Sequence, residues 1–165
     1  MKETVALLIA IWINLIGVAM AQESQINRGA GFGFQLNQYE RDFGIGLSAT
    51  SPYFVHHAIA ARARGNLMFY EHPENGATIW TGYSNASLGL VGVGGYVAGF
   101  IRLYGEGGII ALFPDDDFST KDFVIGGYGL FGFEFFMTEM TNYFIEIGGV
   151  GTGAEADKIP NKPIY

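Results

Sequence analysis

The chain has 165 residues, 49% of them hydrophobic and only 15% charged, with 25 glycines, no cysteine and a formal charge of −7. The length fits one domain. The glycine content argues against a helical protein, since each interior glycine costs a helix about 1 kcal/mol relative to alanine; the lack of cysteine excludes disulfides and thiolate metal sites; and an acidic chain without a basic stripe argues against a nucleic-acid partner.

The one long apolar run is N-terminal. Lys2 is followed by Val5 to Val18 and then by Ala19-Met20-Ala21 before Gln22, the order of a secretory signal peptide cut at an A-x-A site after Ala21. The cleavage residues are then Ala19, Ala21 and Gln22, with residues 1–21 as leader and residues 22–165 as the mature domain. After residue 21 no stretch holds the roughly 18 uninterrupted apolar residues that a spanning helix needs. Hydrophobicity of membrane grade without a membrane helix points to strands.

Apolar alternation with a period of two, punctuated by turn residues, predicts seven strands at residues 28–38, 42–51, 56–70, 77–93, 97–113, 122–136 and 142–153. In the sixth, Phe123, Ile125, Phe131, Phe133 and Phe135 occupy odd positions while Tyr128 and Glu134 occupy even ones. Tight turns are expected at Ser51-Pro52-Tyr53, at Gly94-Gly95-Tyr96 and from Met137 to Thr141. Longer acidic connections are expected from Glu71 to Asn75 and from Pro114 to Lys121, and the first outer connection, near Tyr39-Glu40-Arg41, is short. Short turns alternating with polar loops suit the two ends of an outer-membrane barrel.

Parity then assigns faces. The apolar set, including Phe32, Phe34, Leu36, Ile45, Leu67, Leu88, Ile101, Ile109, Ile145 and Ile147, faces outward to lipid. The opposite set collects Gln35, Asn37, Arg62, Arg64, Asn66, Asn85, Arg102, Glu106, Glu134 and Glu146. No ionisable residue in the middle of a strand falls on the lipid side, where a charge at the midplane costs about 2 to 4 kcal/mol. Aromatic residues near strand ends, namely Tyr53, Phe54, Tyr70, Phe113, Phe135 and Tyr143, suit interfacial girdles. A bacterial barrel needs an even strand count, and the tail from Gly153 to Tyr165 reads as proline-broken loop. The expected fold is therefore all-β, an antiparallel up-and-down transmembrane β-barrel with seven strands visible of an expected eight.

The hairpin Gly126-Gly-Tyr-Gly-Leu-Phe-Gly-Phe-Glu-Phe-Phe-Met-Thr-Glu-Met-Thr-Asn-Tyr-Phe-Ile-Glu-Ile-Gly-Gly149 resembles the small outer-membrane β-barrel family of Gram-negative bacteria, the eight-stranded surface-antigen and porin-like type. As pattern, the resemblance covers residues 22–153. Members of that family usually end in a strand whose terminal aromatic is read by the assembly machinery. Tyr165, after Lys162-Pro163, is not such an ending, in keeping with a missing last strand. The resemblance implies location in the bacterial outer membrane, with membrane lipids, lipopolysaccharide and the barrel-assembly machinery as partners. It leaves any extracellular partner unidentified, because the family is functionally diverse.

The inward charges are the main chemical feature. Arg62, Arg64 and Arg102 oppose Glu106, Glu134 and Glu146, and Glu134 and Glu146 flank the last turn symmetrically, so they are expected as neighbours that share these arginines. An eight-stranded lumen is just wide enough for side chains, and the six groups are expected to form an ion-paired plug. A general acid/base pair is disfavoured, since glutamates flanked by arginines stay ionised. Thr81-Gly-Tyr-Ser-Asn-Ala-Ser87 is faintly similar to the Ser-Asn signature of outer-membrane lipid A deacylases, but Gly82 stands where those enzymes place a histidine base, and Ser84 faces lipid. His56 and His57, adjacent on a strand, point to opposite faces and do not chelate together. Asp115-Asp116-Asp117 lacks a spaced calcium-ligand pattern. No catalytic residue, metal or cofactor is expected. The leading expectation is a non-enzymatic outer-membrane protein with a structural or surface-interaction role; the alternatives are a narrow porin-like channel, a lipid A or phospholipid-modifying enzyme, and a soluble lipocalin-like carrier, whose apolar parity would point inward.

Overall fold

A computed structural model describes residues 29–39, 42–74, 77–117, 119–137, 142–155, 158 and 163–164. The leader with Ala19, Ala21 and Gln22, the first outer connection at residues 40–41 and most of the last turn, residues 138–141, lie outside the described residues. The strands are β1 (Gly31–Tyr39), β2 (Asp42–Thr50), β3 (Ile59–Glu74), β4 (Ala77–Val97), β5 (Ile101–Phe113), β6 (Val124–Phe136), β7 (Asn142–Gly151), β8 (Ala154–Glu155) and β9 (Pro163–Ile164). The first seven form one antiparallel sheet in sequence order, curled into a half-barrel. The all-β, up-and-down architecture follows from the alternation itself. A residue pattern of period two commits each strand to two chemically distinct faces, and short connections make neighbours antiparallel.

The parity is realised along all seven strands up to the bulge in β4 described below. Phe32 is 89% and Ile147 75% exposed on the convex face, whereas Arg102 is 2% exposed on the concave one. Two apolar clusters line the concave face. One holds Met68, Tyr70, Tyr83, Ile110, Leu112 and Ala154, the other Tyr53, Ala60, Val91 and Tyr104. Tyr53 and Tyr70, expected in the interfacial girdles, are thus buried inside. Tyr70 has the inward parity of Met68, and the segment after β2 turns Tyr53 under the sheet. Phe54, Phe113 and Tyr143 do stand exposed near strand ends, and Phe135 stacks on Tyr143 at 4.7 Å.

Several boundaries differ from the sequence expectation. The strand β4 does not reverse at Gly94-Gly95-Tyr96. Its register to β5 shifts between Val93 and Gly95, a bulge that bends the strand without ending it. The reversal comes at Ala98 and Gly99, whose φ values of 51° and 75° supply consecutive left-handed residues. The expected loop at Glu71 to Asn75 is largely strand, because pairing continues through Glu71↔Trp80 and His72↔Ile79 to Glu74↔Ala77. His56 and His57 are not on a strand. With Val55 they form a left-handed turn, φ 47°, 55° and 60°, closed by the Ala58 N–H donating to the Val55 carbonyl at 3.1 Å. The tail is not all loop either: Gly153 turns the chain at φ 63°, Ala154 packs into the first cluster, and Ala154–Glu155 pairs with Pro163–Ile164.

Candidate functional site

The concave face between the two apolar clusters is polar and is built from alternate residues of β1 to β7. On β3, Arg62 and Arg64 point inward two residues apart; Glu106 of β5 and Glu146 of β7 meet them. Arg64 donates from Nη1 to Glu146 Oε2 at 2.6 Å and from Nη2 to Glu146 Oε1 at 2.7 Å and Glu106 Oε2 at 2.6 Å. Arg62 donates from Nη1 to Glu106 Oε2 at 3.0 Å and Glu146 Oε1 at 3.1 Å, and from Nε to Thr50 Oγ1 at 2.9 Å. Two guanidiniums and two carboxylates make this quartet neutral. It is largely buried: the Glu106 side chain is 0% exposed, that of Arg64 6% and that of Glu146 14%.

The third pair stands apart. Arg102 lies directly across from Glu134 in the β5–β6 register and meets it at 3.1 Å, with Asn142 Nδ2 also donating to the Glu134 carboxylate. The Arg102 guanidinium lies over the rings of Tyr53 at 4.5 Å and Phe136 at 4.8 Å, both close enough for cation–π attraction. Burial pushes the Tyr53 phenol above its ordinary pKa, with the Arg102 charge opposing.

The expectation that Glu134 and Glu146 share the arginines is therefore corrected. The β6–β7 register is symmetric about residue 139, the midpoint of the Met137 to Thr141 turn, so Glu146 faces Gly132 and Glu134 faces Phe144; the two carboxylates, three positions before and five positions after the turn, are offset by two residues instead of opposite each other. The offset sends Glu146 to β3 and leaves Glu134 with Arg102.

The sequence reading placed the amides Gln35, Asn37, Asn66 and Asn85 on the inward face but missed the tyrosines that complete the network. Tyr104 O–H donates to Glu146 Oε1, and Tyr128 O–H donates to Glu106 Oε1 at 2.7 Å. Both need glycine beside them: a Cβ on Gly132 would run into the Tyr104 ring, and one on Gly89 into the Tyr128 hydroxyl. Tyr104 pairs with Gly132 across the β5–β6 ladder, so a tyrosine opposite a glycine was the available signal. Above the quartet Asn66 accepts from Gln35 Nε2 and from Asn37 Nδ2 (2.9 Å) and donates to Asn85 Oδ1 at 2.7 Å. Asp42, also buried, accepts from Tyr83 O–H at 2.6 Å.

The remaining candidates separate from this network. Ser84 is half-buried with outward parity, paired with Leu67 and Phe113. His72 turns inward and its Nε2 meets Thr81 Oγ1 at 2.8 Å. In the acidic loop the Asp117 N–H donates to Asp115 Oδ1 at 2.9 Å, a local turn bond. Among the described residues no three His, Asp or Glu side chains converge as metal ligands, and no helix is long and apolar enough to cross a membrane. No family model, curated protein or solved structure matches the chain.

Mechanically, the quartet can brace the sheet. Each carboxylate is held by guanidinium and phenol donors, and each is tied across strands distant in sequence, β3 to β7 and β3 to β5.

Proposed function

We propose that the chain is a non-enzymatic membrane-spanning β-barrel protein of the bacterial outer membrane, its interior plugged by the Arg/Glu network, with a structural or surface-interaction role. One observation carries this reading. Every described ionisable residue in the middle of a strand lies on the concave face, while the convex face exposes Phe32, Phe34, Leu36, Leu67, Leu88, Ile109 and Ile147. Glu71, of outward parity, falls near the hairpin end of β3. Water would drive such a convex surface into contact with something apolar, and hydrocarbon is the solvent in which it is at rest. A soluble carrier favours the inverse arrangement, with the apolar parity inside. Plugging is supported by Met68, Leu112 and Val91, buried completely beside the network.

The test is site-directed labelling in vesicles. Cysteines at Ile109 and Ile145 are expected to react with lipid-phase probes and those at Glu106 and Glu146 to be protected. Reversed labelling refutes the membrane reading. In planar bilayers the protein should be silent, and steady conductance of the parent would favour a narrow channel instead.

A further inference from the structure

The two ends of the sheet differ in chemistry. At one end the connections are acidic: residues 71–76 carry Glu71 and Glu74, and residues 114–122 carry Asp115, Asp116, Asp117 and Asp122 beside Lys121. At the other end β2 passes to β3 and β4 to β5. There the sequence from Ala49 to Ala60 and from Val93 to Ile101 holds no carboxylate, lysine or arginine. The tips of these two connections are apolar and exposed instead, Phe54 by 46% and Val55 by 56% in the first, Val97 by 40% and Phe100 by 50% in the second. The two are tied together where the Val93 N–H donates to the Ala58 carbonyl at 2.8 Å.

The first tip is held in a conformation that its residues resist. Val55, His56 and His57 are all left-handed, a region that β-branched and bulky residues rarely enter. The surroundings impose it: Phe54 and Ile59 exchange backbone hydrogen bonds of 2.7 and 3.1 Å across the turn, and Tyr53 is anchored against the Arg102 guanidinium at 4.5 Å. Backbone strain kept up by its surroundings points to a use. Here it keeps an exposed valine and two exposed imidazoles at the tip.

The length of β5, 13 residues from Ile101 to Phe113, places this end relative to a bilayer. At roughly 3.3 Å per residue and a tilt of about 40°, such a strand covers about 30 Å of height, against an apolar band of roughly 25 Å in a barrel. Phe100, one residue before β5, then falls just beyond the hydrocarbon, at the level of the headgroups.

We propose that the tips at Phe54 to His57 and at Val97 to Phe100 form a lipid-docking rim seated in the headgroup zone of the membrane, with phospholipid as its partner. The inference rests on the proposed membrane location and adds which end is immersed and how deeply. Backbone outside the ladders is excluded from hydrocarbon but tolerated at headgroup level, so the turns stay there while Val55 and Phe100 reach the first acyl carbons. The His56 and His57 rings can donate N–H to phosphate oxygens. The acidic end, by contrast, stands in water.

The test uses the full chain in vesicles of phosphatidylethanolamine and phosphatidylglycerol. Val55→Cys, Phe100→Cys, Ile109→Cys and Asp116→Cys each carry one environment-sensitive fluorophore, read against lipids brominated near the headgroup or near the chain end and against the neutral aqueous quencher acrylamide. At Val55 and Phe100, bromine near the headgroup should quench roughly twice as strongly as bromine at the chain end, and acrylamide roughly fivefold less than at Asp116, as for groups about 5 to 10 Å into the interface. Acrylamide quenching at both tips equal to that at Asp116 overturns the proposal. So does shielding from acrylamide without quenching by either brominated lipid, which would mean that a second copy or another protein covers the rim. Ile109, in the middle of the band, reads the membrane location itself: bromine quenching there with freely accessible tips overturns the rim alone, whereas an acrylamide-accessible Ile109 overturns both.

Discussion

Arg64→Ala is the most searching perturbation of the quartet. It removes three N–H···O contacts of 2.6 to 2.7 Å, two to Glu146 and one to Glu106, and leaves two carboxylates to Arg62 alone, so a neutral, largely buried cluster becomes net negative. Breaking a buried pair by deleting one partner costs about 3 to 5 kcal/mol, chiefly through the charge left uncompensated. With a urea slope of about 2 kcal/mol/M, the unfolding midpoint should fall by roughly 2 M. Asp116→Ala, in an exposed loop, should move it by no more than about 0.3 M, since surface changes stay within about 0.5 kcal/mol. Trp80, half-exposed on the convex face, is the fluorescence reporter, Trp12 lying in the expected leader. In a Glu146→Gln background the cost of Arg64→Ala should shrink by about 1 to 3 kcal/mol, the coupling expected of contacting residues. Arg64→Lys, which keeps the charge but loses the two-pronged contact, should fall between parent and Arg64→Ala. If Arg64→Ala is no worse than Asp116→Ala, or the double variant is additive, these groups do not meet and the quartet is wrong.

Arg102→Ala should destabilise by about 3 to 5 kcal/mol, and adding Glu134→Leu should recover much of it, whereas adding Glu146→Gln should not; urea titration of the three variants reads the difference. Gly132→Val should cost about 1 to 3 kcal/mol by overpacking against the Tyr104 ring, read as a lowered midpoint, and Tyr104→Ala in the same chain should relieve part of it. Val55→Gly should stabilise by about 1 to 2 kcal/mol by freeing a β-branched residue from a left-handed φ; an unchanged melting temperature would show that the turn is not so strained. Tyr53 has its folded pKa raised above 10.0 by burial, so its contribution is intact below pH 10 and is lost above it as the unfolded chain ionises first. Tyr53→Phe should therefore lessen the alkaline fall in stability and leave its pH dependence near neutrality unchanged.

The sequence by itself determined the faces. Side chains on a strand alternate whatever the strand pairs with, so the parity of Arg62, Arg64, Arg102, Glu106, Glu134 and Glu146 was legible from local order alone, as were the seven strands and their antiparallel succession. Who meets whom was not. The partner of Glu146 lies 82 residues away in Arg64, and choosing it over Arg102 required the curl that brings β7 near β3. The curl leaves no trace in periodicity, whereas the offset of Glu134 from Glu146 was countable, since a hairpin symmetric about residue 139 sets Glu146 opposite Gly132. The roles of Tyr104 and Tyr128 depended on glycines of other strands, and the real reversal at Ala98 and Gly99 lay just past a more conspicuous glycine pair that the sheet absorbs as a bulge. The extension of β3 and β4 through Glu71 and His72 was hidden for the same reason: pairing with Trp80 and Ile79 is a property of two strands together. Local alternation fixes orientation, and only the register and curl of neighbouring strands fix contact.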